Sequence, residues 1–329
     1  MYIFMTMARR KSILKLLILF LLVEIFCSWG FFGHKTINHK AVFILPKAMV
    51  SFYKNNIIYL TEHAVDPDKR RYTDQQEAPR HFLDADYYGG YPFDTIPQKW
   101  DDAVTKFTAD TLNKYGTVPW SIQRNYYRLL QAFKNRDSIK ILKYSADLGH
   151  YVADAHVPLH LTRNYNGQLT NQTGIHAFWE SRLPELFADR YNFFIGKAIY
   201  INDPLKSAWA ICRQSYSSLD SVLKIEQQLK LTFRTDQQYT FIKNNNKIIR
   251  NYSEPYASAY HNLLHGMVEK QMRAAILLIG SYWFSAWVDA GQPDLKGMIK
   301  RELSDEEKMK ENLEEYHFQN GKILGREEL

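Results

Sequence analysis

Two cysteines in 329 residues, Cys27 and Cys212, leave this chain almost without thiols. If the residues before Trp29 are removed, Cys212 stands alone and no intramolecular disulfide can form. Long apolar runs are equally scarce. The one present, Ile13 to Cys27, carries Lys15 and Glu24 and is short for a bilayer span. With a mean hydropathy of −0.40, the chain does not fit a polytopic membrane protein. Period-2 alternation with hairpin turns is sustained nowhere, which speaks against a fold built from half-buried strands. No internal repeat and no convincing domain boundary is visible. The chain has ample material for a core: 46% of its residues are hydrophobic and 15% are aromatic.

The single apolar run follows Arg9, Arg10 and Lys11 and ends at small Ser28. A basic stretch, an apolar stretch and a small residue read as a signal peptide removed from the mature protein. The expectation is an exported (periplasmic or secreted) protein, cleaved before Trp29. The whole chain has a formal net charge of +7; residues 1–28 carry +3 of it, and the chain from Trp29 carries +4. Mild basicity of this kind suits a phosphate-bearing substrate without demanding one.

Helical spacing dominates what remains. Residues 41–60 show it around Pro46, and residues 122–135 and 137–157 read as successive helices. Pro158 interrupts the second, since it has no N–H to donate and clashes with the preceding turn. The polar stretch 162–174 reads as a loop, and a helix begins near Gly174. Residues 205–231 and 256–288 are further helical patterns, the last being the longest. From Leu303 the chain turns charged and poor in aromatics, as in a solvated helix or a loose tail. The expected fold is all-α. A single helical domain spans 29–302, after a 1–28 signal segment and before a 303–329 charged tail.

The histidines and carboxylates are arranged, not scattered. His150 and Asp154 stand at i and i+4, as do His176 and Glu180. Residues so spaced share a helix face, so both members of a pair reach one ion. His160, beyond Pro158, can be aimed toward a second ion, and His176 with Glu180 can complete that site. Upstream, Asp66 and His81 flank a short loop and can join His150 and Asp154. Zinc takes His nitrogen and carboxylate oxygen at about 2.0–2.2 Å, and an exported chain without disulfides gains a staple from metal. His156 is read as packing or supporting a ligand. His39, His63, His261, His265 and His317 are read as structural or exposed, and Asp84, Asp86 and Asp147 as partners for ligating histidines.

These motifs resemble those of the zinc-dependent phospholipase C and S1/P1 nuclease superfamily. Trp29-Gly-Phe-Phe-Gly-His34 resembles the mature start of the nucleases. His150-x3-Asp154-x-His-x-Pro-Leu-His160 resembles the signature shared with the bacterial phospholipases, and His81-Phe-Leu-Asp84 an element of both. The resemblance implies a mostly helical fold and three zinc ions. One ion would be held by Asp66, His81, His150 and Asp154, and a second by His160, His176 and Glu180. The third would take the amino group and carbonyl of Trp29, with His34 and a bridging Asp154. An uncleaved amide nitrogen is a poor ligand, so signal cleavage becomes a maturation step.

Departures from the family pattern bear on the substrate. The nucleases carry Trp-Ala-Asp and an arginine three residues on. Here Ala64-Val65-Asp66 is followed by Lys69 at that offset, with Arg70 and Arg71 beside it. Glu180 and the short loop before His176 lean toward the phospholipases. The expected activity is hydrolysis of a phosphodiester by a zinc-activated water. Asp66 would orient that water, and Lys69 or Arg70 would steady the phosphoryl oxygens. A phospholipid headgroup is the first substrate reading, with a peripheral membrane contact and a monomeric enzyme. The alternatives are a single-strand nuclease or 3'-nucleotidase and a non-catalytic zinc-binding surface protein. Phe82 and Asp84 are the candidate substrate contacts. An aromatic side chain beside the metal would favour nucleic acid, because base stacking is worth about 1–3 kcal/mol per base.

Overall fold

The helix that carries His150 and Asp154 spans Ser138–Ala155 in the computed structural model, which describes residues 31–244, 247–298 and 302–326. Asp137 starts it by accepting a hydrogen bond from the Lys140 backbone N–H at 3.1 Å, which satisfies one of the orphan donors of a first turn. Its apolar residues form one broad face, and Lys143, Asp147, His150 and Asp154 line the other. Ile141, Leu142, Leu148, Val152 and Ala155 are all fully buried. From Ser145 to Ala155 every residue is buried, polar ones included, so this half of the helix is covered all round. The cover comes from the Val118–Lys134, Phe31–Ala41, Met267–Asp289 and Pro204–Ser217 helices. Burying a Leu or Ile side chain fully is worth about 1.5–3 kcal/mol, so packing rather than helix propensity holds this element in place.

Two contacts fix how the central helix meets its neighbours. A Cβ at Gly149 would lie 2.0 Å from Asn38 Oδ1, so glycine is what lets the Phe31–Ala41 helix come this close. Asn38 in turn donates to Ala146 O at 3.2 Å. Trp283 Nε1 donates to Ser145 O at 3.0 Å, and its ring stacks on Tyr53 at 5.0 Å. His34 and His150 are thereby brought from separate helices to one place. A single hydrophobic core runs from Ile37 to Leu295.

The all-α expectation holds, with differences of detail. The 256–288 pattern is two helices, Glu254–Leu263 and Met267–Asp289. They part at His265 and Gly266, whose φ angles of 50° and 74° cannot continue a right-handed helix. The 205–231 pattern divides likewise into Pro204–Ser217 and Leu219–Lys230. An antiparallel hairpin, Tyr239–Asn244 with Lys247–Tyr252, was not foreseen. Its strands show no clean alternation because Phe241 and Ile248 both face solvent. Among the described residues no helix is long and apolar enough to cross a membrane. The signal-like segment and Trp29 lie outside the described residues.

The charged tail is neither loose nor wholly solvated. Ser304 and Glu307 form a reciprocal capping box that opens the Asp305–Asn320 helix. This helix packs on the short Asp66–Arg70 helix, with Phe318 set against Phe31 and Tyr72 and Glu315 paired to Lys69 at 2.9 Å.

Candidate metal centre

Three donor clusters meet at the buried end of the central helix. They are His34 with His150 and Asp154; Asp68 with His81 and His150; and His160 with His176 and Glu180. Within each, the ligating atoms lie within 4.8 Å of one another. Asp154 faces most of them. Its Oδ2 is 3.0 Å from His81 Nδ1 and 3.3 Å from His150 Nε2, while its Oδ1 is 3.4 Å from His34 Nε2 and 3.9 Å from His160 Nε2. Glu180 plays the same part for the other group. Its Oε2 lies 2.7 Å from His176 Nε2 and 3.3 Å from His160 Nε2, and its Oε1 lies 3.1 Å from His34 Nε2. Glu180 reaches all three from a wide π-helical turn, Phe178–Arg182. Such a turn inserts an extra residue into a helix and re-aims side chains, and it often marks functional sites.

The donor chemistry fits metal. His150 Nδ1 donates to Ala64 O at 2.9 Å and His176 Nδ1 to Tyr165 O at 3.2 Å. A carbonyl can only accept, so the Nδ1 of each ring carries the proton and Nε2 is the atom left to ligate. Burial, reinforced by His34 and His81, pushes His150 well below the ordinary histidine range and keeps it neutral. Burial alone would also lower His34 and His81. Glu180 and Asp154 outweigh it at His34, raising it to about 9; Asp154 and Glu77 do so at His81, raising it to about 10. The carboxylates thus demand positive charge, and a metal ion competes with protons for it. His34 Nδ1 is buried without a hydrogen-bond partner. Nitrogen and oxygen donors in clusters of this size are the set that zinc uses.

The first carboxylate corrects the sequence reading. Asp68, not Asp66, stands 3.7 Å from both His81 Nδ1 and His150 Nε2. Asp66 instead accepts from His63 Nδ1 at 2.7 Å. Two residues turn an α-helix by about 200°, so within Asp66–Arg70 the two aspartates point to opposite sides. The same geometry corrects the cations. Lys69 is held by Glu315, and Arg70 is part of a buried lattice with Asp147 at 3.1 Å, Tyr151 and Glu77. Neither faces the centre. Arg71 is three residues beyond Asp68, and its Nη1 is 3.9 Å from Asp68 Oδ1. The "arginine three residues on" was therefore present in the sequence, in a register shifted by two.

Glu77 was missed as well. It is fully buried, its Oε1 is 3.6 Å from His81 Nε2, and it accepts from Tyr151, Arg70 and Arg80. Burial would raise its carboxyl, but Arg70 and His81 hold it well below the usual carboxylate range. Of the partners expected for ligating histidines, Asp147 serves Arg70 and Lys143, and Asp86 accepts from Thr162 and from the Arg163 N–H. His156 is buried and donates to Val152 O at 2.7 Å, outside the three clusters.

Phe82 and Asp84 follow the donor His81 by one and three residues, and Tyr165 carries the carbonyl that accepts from His176 Nδ1. Between the two rings sits a guanidinium, that of Arg326. Its Cζ is 4.0 Å from the Phe82 centroid and 3.6 Å from the Tyr165 centroid, and its Nη1 donates to Asp84 Oδ1 at 2.5 Å. Tyr165 escaped the sequence reading because nothing in a polar loop marks one tyrosine as facing another element.

A family model described as zinc dependent phospholipase C matches residues 33–240. That span holds every donor of the three clusters. The chain belongs to the zinc-dependent phospholipase C family. A curated relative, nuclease S1 of Aspergillus oryzae, is 27% identical over 196 residues, which is 54% of this chain. The chain spans 61% of that nuclease's length. In this member of the phospholipase C family, the Asp305–Asn320 helix and Arg326 lie beyond the matched region.

Proposed function

We propose that this chain is an exported, zinc-dependent hydrolase of phosphodiesters. The observation that carries the reading is the meeting of the three donor clusters around Asp154. Zinc held there would supply Lewis acidity and water with a pKa near 7. His150 and His176, held by hydrogen bonds from Nδ1 to Ala64 O and Tyr165 O, would ligate through Nε2, and Asp154 would serve two ions. Trp29, outside the described residues, would complete a third site with His34 and Asp154 once cleavage frees its amine. Asp68 takes the water-orienting role first given to Asp66. Arg71, 3.9 Å from Asp68, would be the cation that holds phosphoryl oxygens, through the fork of donors that suits them.

For the substrate, the slot between Phe82 and Tyr165 favours a nucleotide or single-stranded nucleic acid over a choline headgroup. A group 4.0 Å from one ring and 3.6 Å from the other must be flat. A nucleobase is flat and can donate an N–H to Asp84. A trimethylammonium group is tetrahedral, thicker, and has no N–H. Against this, Glu180 and the short loop before His176 are phospholipase-like. The deciding experiment assays the mature, zinc-loaded protein in parallel on single-stranded nucleic acid and on phosphatidylcholine. Turnover of the former alone supports the slot argument; turnover of phosphatidylcholine alone overturns it. Turnover of neither overturns the hydrolase reading.

A further inference from the structure

The Asp305–Asn320 helix does not end in solvent. After Gly321 the chain turns back along the Asp66–Arg70 helix toward the metal centre. The Leu324 N–H donates to Arg71 O at 2.8 Å, and Arg71 Nη2 donates to Arg326 O. Gly325 makes this path feasible. Its φ of +94° is one that side-chain-bearing residues rarely adopt, and a Cβ there would lie 2.8 Å from Ala78 Cβ. The path delivers Arg326 into the slot, stacked between Phe82 and Tyr165 and bonded to Asp84. Cation–π contact with two rings plus a carboxylate partner is a good binding mode for a guanidinium.

The segment therefore makes two contacts that a substrate of the proposed class also needs. Its flat guanidinium fills the aromatic slot, and its Arg326 carbonyl oxygen occupies an N–H of Arg71, the cation next to Asp68. We infer that residues 322–326 are a built-in competitive inhibitor: a pseudo-substrate strap that must leave the cleft before a phosphodiester with a planar group can enter. This inference rests on the phosphodiesterase reading for the competition, but the occupancy stands on its own contacts. The Asp305–Asn320 helix anchors the strap through Phe318 and the Glu315–Lys69 pair. A tethered segment acts at an effective concentration in the mM range, so weak individual contacts suffice to hold it.

The test uses the zinc-loaded protein in four forms: the full chain, a chain ending at Gly321 that keeps the anchoring helix, Arg326→Ala, and Gly325→Ala. Gly325→Ala is expected to expel the strap without changing the guanidinium, because its methyl would meet Ala78 Cβ at 2.8 Å. Occupancy is read with the free peptide amide Lys-Ile-Leu-Gly-Arg, titrated by NMR to about 10 mM, above the tethered concentration. It is expected to bind the chain ending at Gly321 at about threefold or more lower concentration than the full chain, where the strap competes, and its Arg→Ala version to bind neither. Equal binding to both chains, or to neither, overturns the strap. Competition is read with bis(p-nitrophenyl) phosphate, a small diester with flat rings. The three altered chains are expected to show a KM lower by about threefold or more with kcat nearly unchanged. An unchanged KM in all three overturns the inhibitory role even if the peptide binds. If no form hydrolyses any diester, the phosphodiesterase reading fails, and with it the competition. The peptide titration then still decides whether the strap occupies the slot.

Discussion

Asp154 turns one carboxylate oxygen toward His81 Nδ1, 3.0 Å away, although 73 residues of sequence separate the two. Its other oxygen faces His34 and His160. One buried side chain thus touches histidines delivered by a loop, by the Phe31–Ala41 helix and by the Pro158–Leu161 turn. A carboxylate so placed is the natural bridge between two cations. Removing its charge would take away the shared partner of any two ions bound there.

Substitution of the aspartates separates the two registers of the first site. Asp154→Asn and Asp68→Asn are each expected to lower zinc content, Asp154→Asn by the larger amount. Asp66→Asn is expected to leave zinc content nearly unchanged, because Asp66 serves His63. Elemental analysis of the three variants after zinc-replete refolding provides the comparison. Loss of zinc from Asp66→Asn, with retention in Asp68→Asn, would restore the original assignment.

Gly149→Ala probes how the centre is assembled. The added methyl would sit 2.0 Å from Asn38 Oδ1, and Asn38 cannot swing away cheaply because it is buried and bonded to Ala146 O. Overpacking of this kind costs about 1–3 kcal/mol. A lower Tm is expected, with weaker zinc retention, since His34 and His150 stack at 4.1 Å across the same helix pair. A melting curve that matches the unaltered protein would show that the helices do not need this close approach.

Cys212 gives a pH-dependent readout in a chain that starts at Trp29, where it is the sole thiol. It is fully buried, and burial pushes its thiol well above the ordinary range. The folded thiol stays protonated where the unfolded one, with a pKa near 8.5, ionises. Its contribution to stability is therefore complete below about pH 8.5 and is lost as pH rises beyond it. A thiol reagent at pH 8 is expected to label Cys212 only in denaturant. Rapid labelling of the native protein would contradict its burial.

The amino terminus is tested by comparing zinc content in the uncleaved chain and in the Trp29-start form. A free amine can donate a lone pair once metal displaces its proton; an amide cannot. The uncleaved chain is expected to keep the zinc of two sites, lose that of the third, and turn over a simple phosphodiester much more slowly. Equal metal content and equal turnover in both forms would leave the Trp29–His34 motif with a structural role only.

The sequence alone determined the helical class and most of the donor set. Those features are periodic or local: His150 with Asp154 and His176 with Glu180 are one helical turn apart, and Pro158 marks the break before His160. It did not determine which of two nearby aspartates faces the metal, because both lie in one short helix and only its seating against Ala64, His81 and His150 picks a side. The same seating chose Arg71 over Lys69 and Arg70. The fate of the charged tail was also beyond reach. Its composition says only that it is soluble, while its anchoring by Phe318 and the placement of Arg326 between Phe82 and Tyr165 depend on partners more than 150 residues away. Such contacts leave no period in the sequence, so tertiary packing alone decided what fills the cleft.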